Sequence, residues 1–133
     1  MNSVNPGGKY KFVMLVDDND LDNFINEKII NSVHFAEEIY VNVSGKSALE
    51  YLADVPSSGP APDVIFIDIN MPIMDGFELL ENLKRIGGDV LKNCKLVVLT
   101  SSVYAGDRER AKQISPDVLF FNKPLTEEIL AEI

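Results

Sequence analysis

The sequence has 133 residues, 46% of them hydrophobic and 25% charged, which fits one globular domain with a single core. Lys and Arg number 12 whereas Asp and Glu number 21, so the formal net charge of −9 argues against direct binding of nucleic acid. No apolar stretch approaches the roughly 20 residues of a membrane-spanning helix, and we expect no membrane insertion.

The chain starts with a polar segment. Residues 1–9 lack the apolar core of a signal peptide and predict a flexible N-terminal tail, so we place a single domain over residues 10–133. Residues 12–16 form a continuous apolar run, which is typical of a strand buried on both faces. This run ends on two acids, Asp17 and Asp18.

The first two helices have recognisable caps. Asn19 or Asp20 can cap the first helix. Its apolar positions keep helical spacing: Leu21, Phe24, Ile25, Ile29 and Val33. Residues 38–43 alternate imperfectly and predict a shorter strand, after which Ser44 caps a second helix. Residues 56–62 contain three prolines and predict a loop.

The third predicted strand covers residues 64–67, a short apolar run of β-branched and aromatic residues. It ends on Asp68, and the residues after it are typical of a turn: Asn70, Pro72, Asp75 and Gly76. An acid at the carboxyl end of a buried parallel strand lies where open α/β sheets bind ligands.

The remaining elements continue the alternation of helices and strands. They are a helix over 76–86 that Gly87 and Gly88 end, a strand over 96–99, a mostly charged helix over 105–114, a strand over 118–121, and a last helix capped by Thr126. Five strand-then-helix units predict an α/β protein, a doubly wound parallel sheet with helices on both faces.

In such a sheet the carboxyl ends of all strands share one edge, so side chains distant in sequence converge. The converging residues are Asp17, Asp18, Asp68, Thr100 and Lys123. Three carboxylates at one place repel each other, so at least one should have a raised pKa unless a hard divalent ion such as Mg²⁺ is bound. A hydroxyl donor and an ammonium beside them form a site suited to moving a phosphoryl group onto an Asp.

This pattern resembles the receiver domain of two-component response regulators, of the chemotaxis single-domain type, from about Tyr10 to the end of the chain. The features that carry the resemblance are Asp17-Asp18, Asp68, Asn70-Met71-Pro72, Asp75-Gly76, Thr100-Ser101 and Lys123-Pro124. The resemblance implies a flavodoxin-like (βα)5 fold, in which the five parallel strands have the order 2-1-3-4-5.

The resemblance also implies the roles of the site residues. Asp68 would be the phosphoacceptor, Thr100 would bind the phosphoryl group and Lys123 would counter its charge. Mg²⁺, with Mn²⁺ or Ca²⁺ as substitutes, would be held by the side chains of Asp18 and Asp68, by the backbone carbonyl of Asn70, and by Asp17 mainly through water. Asn70 and Ser102 would tune the rate of autodephosphorylation, and the Lys123–Pro124 bond would be cis.

The expected signal is a conformational switch. Thr100 moves towards the phosphoryl group, and an aromatic side chain on the fifth strand turns into the space behind it. That residue is Phe120, where the family often has tyrosine. The resulting change is expected to be read by an unknown downstream protein on the face formed by the fourth helix, the fifth strand and the fifth helix.

The implied phosphoryl donor is a histidine kinase or a phosphotransfer protein. We expect a monomer or weak dimer without an attached output domain. Cys94 is the single cysteine, which is typical of a reducing compartment and predicts a cytoplasmic location. Two alternatives remain: a phosphohydrolase with an Asp nucleophile, although Asn70 departs from the Asp-x-Asp pattern, and a pseudo-receiver that only docks partners.

Overall fold

The structure is a computed structural model that describes residues 2–4, 7–86 and 91–133. Within these ranges strands and helices alternate. The strands are β1 (Asn2–Val4), β2 (Tyr10–Val16), β3 (Ala36–Asn42), β4 (Val64–Ile67), β5 (Lys95–Thr100) and β6 (Leu119–Asn122). The helices are α1 (Asp20–Ser32), α2 (Gly45–Ala53), α3 (Gly76–Ile86), α4 (Ala105–Ile114) and α5 (Glu127–Ala131).

The strands form one sheet in the order β1-β3-β2-β4-β5-β6. The five strands from β2 to β6 are mutually parallel, so the predicted five-stranded parallel sheet with order 2-1-3-4-5 is confirmed, and the fifth predicted strand is β6. β1 adds a sixth strand at the edge of this sheet. Residues 1–9 were predicted as a flexible tail, but Asn2–Val4 pairs antiparallel with β3, whose edge would otherwise present unpaired backbone groups.

The sheet separates two apolar cores, and β4 contributes to both because its side chains alternate. Ile65 and Ile67 pack on the side of α2, α3 and α4, whereas Val64 and Phe66 pack on the side of α1 and α5. All four residues are buried, as a continuous apolar run at the centre of a parallel sheet predicts. This burial fixes the position at which β4 ends.

Helix α1 begins as predicted, with the Asn19 side chain accepting a hydrogen bond from the Asp22 backbone N–H. Its apolar spacing marks its buried face only at the C-terminal end, where Ile29 and Val33 pack against the core. Three other residues are buried, namely Asn23, Asn26 and Ile30. The apolar residues Leu21, Phe24 and Ile25 are exposed, with Phe24 58% accessible. The buried face is polar at its N-terminal end because Asn23 Nδ2 donates a hydrogen bond to the Asp17 carbonyl, 2.8 Å away.

Helix α4 has little apolar anchorage. Ala111 is its one buried residue, and its N-cap, Tyr104, makes no side-chain capping bond. Two arginines of the helix lie over aromatic rings instead. The Arg108 guanidinium carbon is 4.9 Å from the Phe120 ring centroid, and that of Arg110 is 4.1 Å from the Phe77 centroid.

Four further predictions concern local features of the chain. Ser44 and Thr126 cap α2 and α5 as predicted, and the Lys123–Pro124 bond is cis as predicted. Gly87 and Gly88, predicted to end the third helix, lie outside the described residues. Among the helices described, none is long and apolar enough to cross a membrane.

Candidate functional site

Backbone pairing places the site residues at one edge of the sheet. The Asp17 N–H donates to the Asn42 carbonyl, the Asp68 N–H to the Val16 carbonyl, and the Lys123 N–H to the Thr100 carbonyl. Asp17, Asp68 and Lys123 therefore continue the hydrogen-bond pattern one residue beyond the ends of β2, β4 and β6. Their Cα positions are set by the sheet rather than by flexible loops.

The carboxylates of Asp17, Asp18 and Asp68 meet at this edge. One oxygen of each lies within 4.8 Å of the others. Asp17 and Asp68 are buried, whereas Asp18 is exposed to solvent. The structure thus brings together the three acids that the sequence predicted to converge.

Asp68 lies in an environment that disfavours its charged form. Burial and, second, the neighbouring Asp17 charge raise its pKa from 3.8 to about 6, although Lys123 and the Asn70 backbone N–H act in the opposite direction. Its Oδ1 atom has no hydrogen-bond partner among the described residues although the residue is only 6% exposed. The predicted raised pKa among the clustered acids is found at this residue.

Lys123 places a positive charge beside these acids. Its Nζ atom lies 2.7 Å from Asp17 Oδ2, 2.7 Å from Asp22 Oδ2 and 3.8 Å from Asp68 Oδ2. Burial alone lowers the Lys123 pKa, but the hydrogen bonds to Asp17 and Asp22 outweigh it, so that the pKa is raised. Lys123 therefore stays protonated although its side chain is only 14% exposed.

Asp17 has fewer carboxylate lone pairs free to bind a cation than the other two acids. Its Oδ2 accepts the hydrogen bond from Lys123, and its Oδ1 accepts one of 2.9 Å from the Asn19 backbone N–H. Asp18 and Asp68 retain the oxygens that could bind a cation directly. Carboxylate oxygens at this spacing suit a hard divalent ion, which would also relieve the orphaned Asp68 oxygen.

The loop after β4 folds back tightly onto Asp68. The Gly76 N–H donates to the Ile69 carbonyl at 2.9 Å, and a Cβ at position 76 would lie 2.6 Å from the Asp68 carbonyl oxygen. Only glycine allows this approach without moving the strand end. Asn70 is exposed beside the carboxylate. The predicted Asp75-Gly76 turn thus keeps α3 close against the acidic cluster.

Thr100 ends β5, the strand next to β4, and is fully buried. Its hydroxyl oxygen accepts a 3.1 Å hydrogen bond from the Ser102 backbone N–H. The Ser102 hydroxyl donates to Asp107 Oδ2 at 2.5 Å, and Asn122 Nδ2 donates to the Ser102 carbonyl at 2.5 Å. The loop after β5 is therefore fixed from both α4 and β6.

Phe120, predicted as the aromatic of the switch, is 6% exposed and lies in the core on the α4 side of the sheet. Its ring is covered by the guanidinium of Arg108. This places the Phe120 ring between the sheet and α4, so that a displacement of either would reach the other.

Two residues that contact the site were missed by the sequence reasoning, Asp22 and Asp107. Asp22 stands one helical turn after Asp18, so an acid directed back to the strand edge could have been suspected from its position in the first turn of α1. Asp107 occupies the first turn of α4, where acids are common for reasons of helix stability alone. Its contact with Ser102 has no signal in the sequence.

The chain matches the family model described as the response regulator receiver domain over residues 13–133. It is 29% identical to response regulator Rcp1 of Synechocystis over 69% of the chain, and 31% identical to hybrid signal transduction histidine kinase L of Dictyostelium discoideum over 91% of the chain. The chain spans 63% of the length of Rcp1 and 7% of the length of the kinase, less than two thirds of each.

Solved structures show the same fold. A two-component response regulator from Cytophaga hutchinsonii superposes with a TM-score of 0.84 at 34% identity, covering 93% of both chains. The Mn²⁺-bound form of Rcp1 superposes with a TM-score of 0.73 at 23% identity, covering 92% of this chain and 88% of that one, and its likeness concerns the fold alone. The acidic edge, the sheet order and the match over nearly the whole length lead to one conclusion: this chain belongs to the response regulator receiver domain family and is a domain of two-component signalling.

Proposed function

We propose that this receiver domain accepts a phosphoryl group on Asp68 from the phosphohistidine of a histidine kinase or a phosphotransfer protein. The observation that supports it most is the meeting of three carboxylates within 4.8 Å, with the Lys123 ammonium 3.8 Å from Asp68. A buried carboxylate with an unpartnered oxygen is placed to act as a nucleophile.

In the proposed step a carboxylate oxygen of Asp68 attacks the phosphorus atom. The new P–O bond forms as the P–N bond to the imidazole breaks, and the bonding pair stays on the imidazole nitrogen, which takes up a proton from solvent. Lys123 offers an ammonium to the transferred group, and Thr100 offers its hydroxyl. The product is a mixed acyl phosphate that carries close to two negative charges.

The proposed cofactor is Mg²⁺, with Mn²⁺ or Ca²⁺ as substitutes. Asp18 and Asp68 would hold it through their side chains, Asn70 through its backbone carbonyl, and Asp17 mainly through water. The donor set fits a hard cation because it consists of oxygens, and Asp17 is already engaged by Lys123 and Asn19. A bound divalent ion supplies charge neutralisation between the acids and the incoming phosphoryl group.

The proposed output is a movement of Thr100 towards the phosphoryl group. In the described part of the chain, its buried hydroxyl oxygen accepts one hydrogen bond, from the Ser102 N–H. The hydroxyl proton can therefore be donated to a new acceptor. Phe120 lies in the adjoining strand and contacts Arg108 of α4. We place the readout on the face of α4, β6 and α5, where an unknown downstream protein would bind.

The domain is also proposed to hydrolyse its own acyl phosphate slowly. A water oxygen attacks the phosphorus, the bond to Asp68 breaks with return of the electron pair to the carboxylate, and inorganic phosphate leaves. Asn70 is exposed beside Asp68 and is suited to influence that water. Ser102 is assigned the second rate-tuning position, with its hydroxyl engaged by Asp107.

We further propose a cytoplasmic monomer or weak dimer that signals by protein contact. Cys94, the single cysteine, is half-buried, and burial raises the pKa of its thiol to about 12. A thiol of that kind is unreactive and has no role in the proposed chemistry. Sedimentation with and without phosphorylation tests the oligomeric state, and fractionation of the source cells tests the location.

The decisive experiment is intact-mass spectrometry after incubation with a small phosphoryl donor, with and without Mg²⁺. Acetyl phosphate is one probe, and phosphoramidate is a second because its P–N bond imitates that of phosphohistidine. Wild type and Asp20→Asn should each gain one phosphoryl group in Mg²⁺, whereas Asp68→Asn should gain none. Asp20 is an exposed acid in the first turn of α1 and controls for the change in charge.

The other outcomes separate the alternatives. No adduct with either donor, at any time from milliseconds to minutes after mixing, would contradict the proposal and favour a docking-only pseudo-receiver. Continuous release of phosphate from unrelated phosphate esters would favour the phosphohydrolase.

A further inference from the structure

Asp22 is an acid of the site that the receiver pattern does not include. It lies in α1, its side chain is 34% exposed, and its Oδ2 is 2.7 Å from Lys123 Nζ. Lys123 is 101 residues away in the chain, and its side chain is 14% exposed. A short ion pair between distant elements, at the mouth of the acidic cluster, needs an explanation beyond local helix stability.

The charges show what Asp22 does to Lys123. The ammonium makes hydrogen-bonding contacts of 2.7 Å with Asp17 and with Asp22, but lies 3.8 Å from Asp68, beyond hydrogen-bond distance. Asp17 lies in the cluster and Asp22 lies outside it on the helix. Among the described residues Lys123 supplies the ammonium that contacts these acids, and Asp22 attracts it away from the carboxylate that is to be modified.

We infer that Asp22 is a positioning residue that acts through Lys123, competing with the phosphoryl group on Asp68 for the same ammonium. This inference rests on the proposed function of Asp68. In the unphosphorylated domain Asp22 holds Lys123 beside α1. After phosphoryl transfer Lys123 exchanges Asp22 for a phosphoryl oxygen and keeps Asp17, so each phosphorylation breaks the Asp22–Lys123 contact.

The competition predicts the direction in which the rates of phosphorylation and of phosphoryl loss change. Loss of the Asp22 charge leaves Lys123 with fewer acceptors, so the ammonium becomes more available to the phosphoryl group. Phosphorylation should become faster and loss of the phosphoryl group slower. Because Asp22 is about one third exposed, we expect each rate to change by about twofold to fivefold, the range that a partly exposed ion pair supports.

The chain offers a matched control for this test. Asp20 lies in the same first turn of α1, is exposed, and carries the same charge near the same helix N-terminus. Asp20→Asn reproduces the loss of one charge and of one favourable helix-dipole interaction. Asp22→Glu keeps the negative charge, and its longer side chain still reaches Lys123. Its rates should therefore be close to those of wild type.

The test measures the rate of phosphorylation by acetyl phosphate in saturating Mg²⁺ and the rate of phosphoryl loss after removal of the donor, in the full chain. Asp22→Asn should change both rates in the directions given, whereas Asp20→Asn and Asp22→Glu should not. Equal rates in Asp22→Asn and Asp20→Asn would overturn the inference and leave the proposed function intact. Absence of any adduct in wild type would overturn both.

A second readout does not depend on phosphorylation. The ¹⁵N signal of the Lys123 ammonium, identified by its loss in Lys123→Gln, reports how tightly the group is held. In wild type it should exchange slowly with water, and in Asp22→Asn it should shift and broaden. An unchanged signal in Asp22→Asn would contradict the contact itself.

Discussion

Lys123 Nζ lies 3.8 Å from Asp68 Oδ2, whereas it lies 2.7 Å from the nearest oxygen of Asp17. The lysine therefore neutralises Asp17 better than Asp68, the proposed phosphoacceptor. Asp68 remains a buried carboxylate whose charge is only partly compensated, and this fact governs how the domain should respond to pH and to cations.

The first prediction concerns the stability of the cation-free domain. The Asp68 pKa is about 6 in the folded state against an ordinary value of 3.8, so between these pH values the folded state binds the extra proton. Stability from this group is therefore fully present below about pH 4 and is lost as the pH rises through about 6. Asp68→Asn should remove this loss and raise the free energy of unfolding at pH 7 by up to about 3 kcal/mol.

Urea unfolding from pH 4 to pH 8 in the presence of EDTA measures this effect. Asp20→Asn should keep the wild-type slope in the same range. A wild-type stability that increases between pH 4 and pH 6 by as much as in Asp68→Asn would show that the Asp68 pKa is not raised.

The second prediction concerns divalent cations. A cation that binds the folded acidic cluster stabilises it by mass action, by about 2.7 kcal/mol when its concentration is a hundred times the dissociation constant. Mg²⁺ should raise the melting temperature of wild type and of Asp20→Asn. The increase should be much smaller in Asp18→Asn and in Asp68→Asn, which remove oxygens that Asp17 cannot replace because Lys123 and Asn19 engage it.

Thermal melts at increasing Mg²⁺ concentration and constant ionic strength test this expectation. Equal increases in all four proteins would place the cation elsewhere, since only wild type and Asp20→Asn keep the three carboxylates intact.

The third prediction concerns the two faces of α1. Phe24 is exposed and Ile30 is buried in the core beneath the helix. Ile30→Ala should cost about 2–5 kcal/mol because it leaves a cavity, whereas Phe24→Ser should change stability by about 0.5 kcal/mol or less. Chemical denaturation of the two variants distinguishes this arrangement from the one that apolar spacing alone suggests, in which Phe24→Ser would be the costly change.

The fourth prediction concerns α4, which has one buried residue and no side-chain cap. Its amides should exchange with deuterium faster than those of β4, whose four residues are all buried. Asp107→Asn should accelerate the exchange of α4 further, because it weakens the bond to Ser102 and the favourable charge in the first turn. Glu109→Gln, which changes an exposed acid of the same helix, serves as the control.

Hydrogen exchange with mass-spectrometric detection reports both comparisons. Protection of α4 equal to that of β4 would contradict a mobile helix, and identical exchange in the two variants would show that Asp107 does not fix its N-terminus.

The strands and their common edge were predictable because they depend on local signals that the sheet reinforces. Residues 64–67 read as a buried strand, and Asp68 follows directly, so its place at the carboxyl edge required only the parallel topology. The helix bounds over 76–86 and 105–114 were also found from the sequence, as were the caps Ser44 and Thr126.

What the sequence did not reveal depends on how elements pack over long distances. Apolar spacing located α1 but only the C-terminal part of its buried face, because Asn23 can be buried once its amide bonds to the Asp17 carbonyl. The contact between Asp22 and Lys123 requires the position of α1 relative to β6, which no local pattern encodes. The pairing of Asn2–Val4 with β3 likewise depends on long-range packing, and no pattern in this short polar segment predicts it.

The two arginines of α4 determine how that helix can leave its place. Arg108 and Arg110 attach it through guanidinium groups over the rings of Phe120 and Phe77, and both arginines are otherwise exposed to water. Contacts of this type contribute about 0.5–1 kcal/mol each at exposed sites, less than burying one leucine side chain would. A displaced α4 would therefore return its own charged groups to solvent but uncover the two buried rings, so the surface that the helix leaves behind is apolar whereas the helix itself is mostly charged.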